Sequence, residues 1–180
     1  MTETTKIKDF VEINYTGKLA DGTIFDTTLE NVAKDNNNFN PKANYTPMKI
    51  CIGEKQVLPG LDEQLKDKEI GKTYNIKLSA EKAFGKRDVK KVQLIPLASF
   101  KEHNLKPYPG LQVDFDGKMG KVMRVSGGRV MVNFNHPLSG KEIIYEIEII
   151  KKIDNSKDKI NAYLSNVFKQ VEQIRKIEIE

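Results

Sequence analysis

The chain has 180 residues, of which 31% are charged and 38% hydrophobic, with a net charge of +5. That length suffices for one good core, or a core plus a small second unit, and no run approaches the roughly 18 apolar residues a membrane-spanning helix needs. The single cysteine, Cys51, excludes an internal disulfide and suits a reducing compartment.

The opening residues, MTETTKIKDF, lack the apolar stretch of a signal peptide, so a cytoplasmic protein without membrane association is expected. Residues 7–28 read as a β-hairpin: Val11, Ile13 and Tyr15 alternate with Glu12 and Asn14, and Asp21-Gly22 predicts a two-residue turn. The returning strand ends in Phe25-Asp26, opposite Tyr15, and a hairpin needs none of these three for its own stability. The Asn-rich stretch 29–47 reads as a long surface loop with room for one helical turn at its start. Met48 to Ile52 is a strand closed by Gly53, and Cys51 on it is expected to be an inert strand residue, not a nucleophile. Behind Pro59, Leu61 and Leu65 stand four apart, as on a short helix burying one face. After a turn at Gly71, Tyr74, Ile76 and Leu78 alternate with Asn75 and Lys77 as another strand.

Residues 86–137 differ in charge. They hold ten Lys and Arg against four Asp and Glu, so the chain's whole basic excess lies there. Val113 and Phe115 signal a strand, and Gly127-Gly128 predicts a turn between two alternating runs. This pattern predicts a small domain inserted between two strands of the first. His103 and His136 have no Cys or His neighbour at ligand spacing, and no metal site is expected.

Ile143 to Ile150, IIYEIEII, alternates apolar and acidic residues, a strand with one wet face. Ile160, Leu164, Val167, Val171 and Ile174 then form an apolar seam on one helix, which Asn155 or Ser156 can cap. KIEIE, at 176–180, switches to period two like the start of a strand, whose bare edge would dock onto something. Two readings of this end stay open: a homodimer seam, and the front of an α/β extension.

Three strings, INYTGKLADGTIFDTT, GEKQVLPGLDEQLKDKEIGKTYNIKL and EKAFG, together with YEIEII, closely resemble the FKBP-type peptidyl-prolyl isomerases. The middle segment and NFNHPLSGKEIIYEIEII resemble the SlyD-like branch, which carries an insert-in-flap chaperone domain; the Asn-rich loop and C-terminal extension are most similar to the larger archaeal members. The resemblance implies an α+β fold in which an antiparallel sheet wraps around a short helix, with an apolar pocket between them. It divides the chain into an isomerase domain (1–85 and 138–153), an inserted mostly-β domain (86–137) and a helical extension (154–180).

It also implies roles. Tyr15, Asp26, Phe84 and Tyr145 form the expected catalytic set, and Phe25, Met48, Val57, Leu58, Leu61 and Leu138 the substrate-binding set. The Leu58 N–H is expected to bind a substrate carbonyl, with Leu61 as the pocket floor. Met48 stands where many relatives have an aromatic residue, and Leu61 where some have Trp. Phe84 stands where the usual residue is Tyr, and Tyr145 where the family has Phe. The Leu61 and Phe84 departures bear on affinity for the family's macrolide inhibitors more than on catalysis. Neighbouring strand residues point to opposite faces, so Phe25 and Asp26 can share a pocket only where the strand ends or bulges.

Rotation about a peptide bond costs about 18–20 kcal/mol because resonance must be broken. At Xaa-Pro the isomers differ by only about 0.5–1 kcal/mol, yet they exchange slowly. Catalysis needs no nucleophile and no cofactor. It needs a site that binds the twisted amide better than either planar form, and a dry apolar pocket penalises the more polar planar amide. The expected substrates are unfolded or proline-containing polypeptides, and the competing class is a holdase with a vestigial pocket. For the basic insert three readings stay open: a solvated surface, ribosome or RNA contact through its basic face, and client capture. Candidate client contacts are Leu94, Ile95, Leu97, Phe100, Tyr108, Val122, Met123, Val125, Met131 and Val132.

Overall fold

The computed structural model describes residues 3–115 and 117–179, from residue 169 onward as backbone alone. In chain order the elements are β1 (Phe10–Leu19), β2 (Ile24–Thr27), α1 (Glu30–Asp35), β3 (Met48–Cys51), α2 (Pro59–Gln64) and β4 (Thr73–Leu78), then β5 (Val92–Pro96), α3 (Leu97–Glu102), β6 (Gln112–Phe115), β7 (Lys118–Ser126) and β8 (Arg129–Asn133), and finally β9 (Ile143–Ile153) and α4 (Ser156–Ile179). The architecture is mixed α and β, with antiparallel sheets and few helices. It divides into two compact units, one running up to Gly85 and resuming at Gly140, the other Lys86–Ser139.

In the first unit the sheet order is β2-β1-β9-β4, with β3 also paired to β1. Alternation decides which face is buried. Val11 and Ile13 of β1, Ile143, Ile147 and Ile149 of β9, and Ile76 and Leu78 of β4 are all buried, while Glu146 and Glu148 face out. Helix α2 begins on Pro59, whose missing N–H is no loss at the first helical position. It buries Leu61 and Leu65, each contributing about 1.5–3 kcal/mol. A Cβ on Gly60 would lie 2.7 Å from Lys82 Cβ and 3.1 Å from Leu78 Cδ2, so only glycine lets the helix start this close to β4.

The hairpin turn is wider than Asp21-Gly22 predicted. Residues 20–23 connect β1 and β2, Gly22 takes φ +87°, and Asp21 Oδ1 accepts the Thr23 N–H at 2.9 Å. Strand β9 continues to Ile153, past a bulge at Ile150, because its ladder with β1 runs on to Phe10 and Ile153 is buried; Lys151 and Lys152 reach Glu12 and Asp9 at 3.4 and 3.0 Å. Burial pushes the Cys51 thiol up in pKa, with the Glu54 and Asp62 carboxylates acting in the same direction, as befits an unreactive strand residue.

Helix α4 departs from expectation at its end. KIEIE does not open a strand: the helix runs on through Ile179, where each N–H finds its acceptor within the helix and no partner strand is required. The apolar seam stays open at its start, where another surface could cover it. Ile160 and Leu164 are 59% and 43% exposed, whereas Ala162 and Asn166 are buried. The side chains of Val171 and Ile174 lie outside the described residues. Asn155 caps the helix, its Oδ1 accepting the Lys157 N–H at 2.8 Å.

The second unit has its own sheet, in the order β5-β8-β7-β6. Gly127 and Gly128, at φ +57° and +74°, make the predicted two-residue turn between β7 and β8. Its core is Phe100, Val113, Val122, Val130 and Val132. Phe100, Val122 and Val132 therefore cannot be client contacts in the folded unit, correcting the sequence reading. A domain this small needs its few large apolar residues inside.

Candidate functional site

Tyr15 stands mid-way along β1, and the Thr27-Thr28 pair fixes its backbone. Thr28 Oγ1 accepts the Tyr15 N–H at 2.9 Å, Thr27 Oγ1 donates to the Tyr15 carbonyl at 3.1 Å, and the Thr28 N–H reaches the same carbonyl at 3.0 Å. The Tyr15 hydroxyl donates to Asp26 Oδ2 at 2.9 Å. Burial chiefly, then the charge and hydrogen bond of Asp26, raises the Tyr15 pKa well above the ordinary phenol value.

Phe25 and Asp26 serve one site because β2 is irregular between them. Gly17 pairs with Asp26 and Lys18 with Ile24, leaving Phe25 as the extra residue of a bulge. Its ring lies over Gly17: a Cβ there would be 2.6 Å from Phe25 Cζ and 3.1 Å from Tyr145 Cε1. The Phe25 ring meets Phe84 at 6.0 Å and Tyr145 at 5.9 Å, both edge-on. Tyr145 in turn meets Tyr15 at 5.8 Å. These four rings form one aromatic cluster. Burial, and then Asp26, pushes the Tyr145 pKa up to about 12. The Tyr145 hydroxyl has no hydrogen-bond partner among the described residues.

Leu61 is buried on α2, and Val57 and Leu58 are half-buried on the loop leading into it. That loop is held by Asp62, whose two oxygens accept the N–H groups of Gly53 at 2.8 Å and Lys55 at 2.9 Å. The Leu58 N–H donates to nothing among the described residues. Asn166 of α4 ties the same loop to β3, its Nδ2 donating to the Lys49 carbonyl at 2.8 Å and to Gln56 Oε1 at 3.1 Å. Met48 pairs with Ile13 at the near end of β3. Leu138 belongs to the second unit. Beyond Tyr15, Phe25, Asp26 and Met48 a cavity of about 510 Å³ opens, walled by the Asn-rich loop and by Ser165 and Asn166. Among the described residues no three His, Cys, Asp or Glu side chains gather as metal ligands do, and no helix is long and apolar enough to cross a membrane.

Over 149 residues the chain is 30% identical to a short-type peptidyl-prolyl cis-trans isomerase of Methanocaldococcus jannaschii, covering 83% of this chain and 94% of that protein. The chain belongs to the FKBP-type peptidyl-prolyl isomerase family. Residues 93–138 match the family model described as "FKBP26, IF domain". An FKBP-type 16 kDa peptidyl-prolyl cis-trans isomerase of Escherichia coli K12 is 25% identical over 156 residues, 84% of this chain and 95% of that one. The FKBP-type isomerase SlyD of Helicobacter pylori is 26% identical over 121 residues, 64% of each chain.

Within this candidate site, sequence reasoning left four contributors without a role: Gly17, the Thr27-Thr28 pair and Asp62. All but Asp62 lie inside the quoted string INYTGKLADGTIFDTT, and Gly17 two residues after Tyr15 was a readable sign that something approaches the strand closely.

Proposed function

We propose that this protein catalyses cis-trans isomerisation of Xaa-Pro bonds in unfolded polypeptides, as a cytoplasmic enzyme with no cofactor. The observation that carries this is the wall of Tyr15, Phe25, Phe84 and Tyr145 with Asp26 bonded to the Tyr15 hydroxyl. Apolar rings exclude water and so disfavour the polar planar amide relative to the twisted one. The Tyr15 proton is engaged by Asp26, so Tyr15 and Asp26 hold each other in place. The Leu58 N–H and the Tyr145 hydroxyl are open donors, and they take the carbonyls flanking the rotating bond. Asp26 acts as an electrostatic and positioning group; no proton transfer is required. Phe25, Met48, Val57 and Leu61 hold the proline ring.

The second unit is proposed to hold clients. Leu94 on β5 and Met119 on β7 are 58% and 62% exposed, and Tyr108 and Met123 are exposed as well. Flexible methionines suit many partners. Clients held on the same chain as the isomerase site meet it at raised effective concentration. The exposed face of α4, with Ile160, Leu164 and Phe168, is proposed to pair with a second copy.

The test is catalysed exchange of an Xaa-Pro tetrapeptide, run beside catalysed refolding of a proline-limited protein. Both are measured on the intact chain and on one with residues 86–139 replaced by a short loop. The replacement is geometrically natural, because the Gly140 N–H donates to the Gly85 carbonyl at 2.8 Å and joins the two exits of the insert. Peptide catalysis that survives replacement while refolding catalysis collapses supports both roles. Absence of peptide catalysis in the intact chain leaves a holdase, and refolding lost only when RNA is added points to the basic face.

A further inference from the structure

We propose that the cavity between the Asn-rich loop and α4 is a subsite for polypeptide main chain on one flank of the isomerised proline. The inference rests on the isomerase reading and extends it. Its first support is continuity: Tyr15, Phe25 and Asp26 belong to the cavity wall and the aromatic site alike, so a chain leaving the proline pocket on that side enters it. Its volume, about 510 Å³, falls among those of ligand sites.

The second support is chemistry. Asn38, Asn44 and Thr46 line the cavity, and their side chains have no hydrogen-bond partner among the described residues. A carboxamide both donates and accepts, which matches the N–H and C=O groups of an extended chain and no particular side chain. The lining carries one carboxylate, Asp26, and one ammonium, Lys49, so it favours neither sign of charge. Such a lining suits polypeptides of unrestricted sequence.

The third support is that the loop is already shaped. Phe39 and Tyr45 stack at 5.5 Å and 17°, and Lys34 Nζ lies 5.1 Å from the centre of the Phe39 ring. The Asn40 N–H donates to the Tyr45 hydroxyl at 2.9 Å, the Lys42 N–H to Asn40 Oδ1 at 2.9 Å, and the Asn38 N–H to the Ala33 carbonyl at 2.9 Å. These contacts fix the loop as the cavity's wall, and substrate need not order it. On the opposite wall Asn166 is fixed by Lys49 and Gln56.

The experiment compares kcat/KM for the tetrapeptide Ala-Leu-Pro-Phe with two heptapeptides that add three alanines on the amino or the carboxyl side. Alanine adds main chain and almost nothing else. One heptapeptide, and only one, is expected to exceed the tetrapeptide by about five- to tenfold, the effect of one or two net hydrogen bonds. That ratio is expected to fall towards one in the Asn38→Leu/Asn44→Leu double variant, and Thr46→Val to lower it in the same direction if the double variant does not fold. Equal rates for all three peptides on the unaltered protein, or a gain that survives these substitutions, would overturn the subsite while leaving the isomerase reading intact. No catalysis of the tetrapeptide would remove the isomerase reading itself, and the subsite with it.

Discussion

Tyr15 and Tyr145 meet edge-on at 5.8 Å, yet their hydroxyls have opposite fates: that of Tyr15 is bonded to Asp26, and that of Tyr145 has no partner among the described residues. On the isomerase reading proposed above, the pair divides two tasks. Tyr15 is a fixed wall, and Tyr145 offers a donor. Position 84, where a hydroxyl is the usual family choice, is Phe here, so Tyr145 restores to the aromatic cluster a hydroxyl that Phe84 lacks. Tyr145→Phe is expected to lower kcat/KM on a tetrapeptide by about five- to tenfold, the worth of one hydrogen bond. Exchange spectroscopy on the variant checks this, and an unchanged rate would leave the hydroxyl without a part in turnover.

Gly17 is the second point of leverage. A methyl group there would sit 2.6 Å from Phe25 Cζ, so Phe25 must shift or β1 must bend. Gly17→Ala is expected to destabilise by about 1–3 kcal/mol, as overpacking does, and to reduce peptide catalysis by at least tenfold through displacement of Phe25. Urea unfolding and the tetrapeptide assay read the two effects separately. Normal activity with normal stability would mean that Phe25 need not lie over β1.

Alkaline pH tests the burial of the two phenols. Tyr145 in the folded protein titrates at about 12, raised by burial and then by Asp26, whereas an unfolded tyrosine loses its proton near pH ~10. Between these values the folded state keeps a proton that the unfolded state has released, so stability falls as pH rises. Below pH ~10 both states hold the proton and the contribution is complete. Tyr15 shifts in the same direction and adds to the decline. Urea midpoints taken in steps above pH ~9 should fall more shallowly in Tyr145→Phe than in the parent. Parallel curves would return Tyr145 to an ordinary pKa.

The aromatic site was legible because its residues sit in short ordered strings, and local order survives folding: Tyr15, Phe25, Asp26, Phe84 and Tyr145 come together as one cluster. What the strings conceal is which residues support the others. The Thr27-Thr28 hydroxyls bond to backbone, and nothing in their spacing announces it. In the second unit, periodicity marked Val122 and Val132 as apolar but could not tell a core position from a client surface. In α4 the apolar spacing marked a face left exposed and gave no sign of the packed one, because small Ala162 and polar Asn166 turn towards β3 and bring the helix close, with Asn166 bonded to backbone there.

Asn166 also yields the last prediction. Its Nδ2 donates to the Lys49 carbonyl and to Gln56 Oε1, and Gln56 itself accepts the Cys51 N–H at 2.8 Å. One carboxamide therefore couples α4 to β3 and to the loop that carries Val57 and Leu58. Asn166→Leu keeps the branched shape but leaves the Lys49 carbonyl without its donor, and is expected to destabilise by about 1–3 kcal/mol. Because the loop carrying the Leu58 N–H loses a brace while the aromatic wall is untouched, KM should rise more than kcat falls. Steady-state exchange kinetics separate the two. A fall in kcat at constant KM would place the influence of α4 on the aromatic wall instead of the Val57-Leu58 loop.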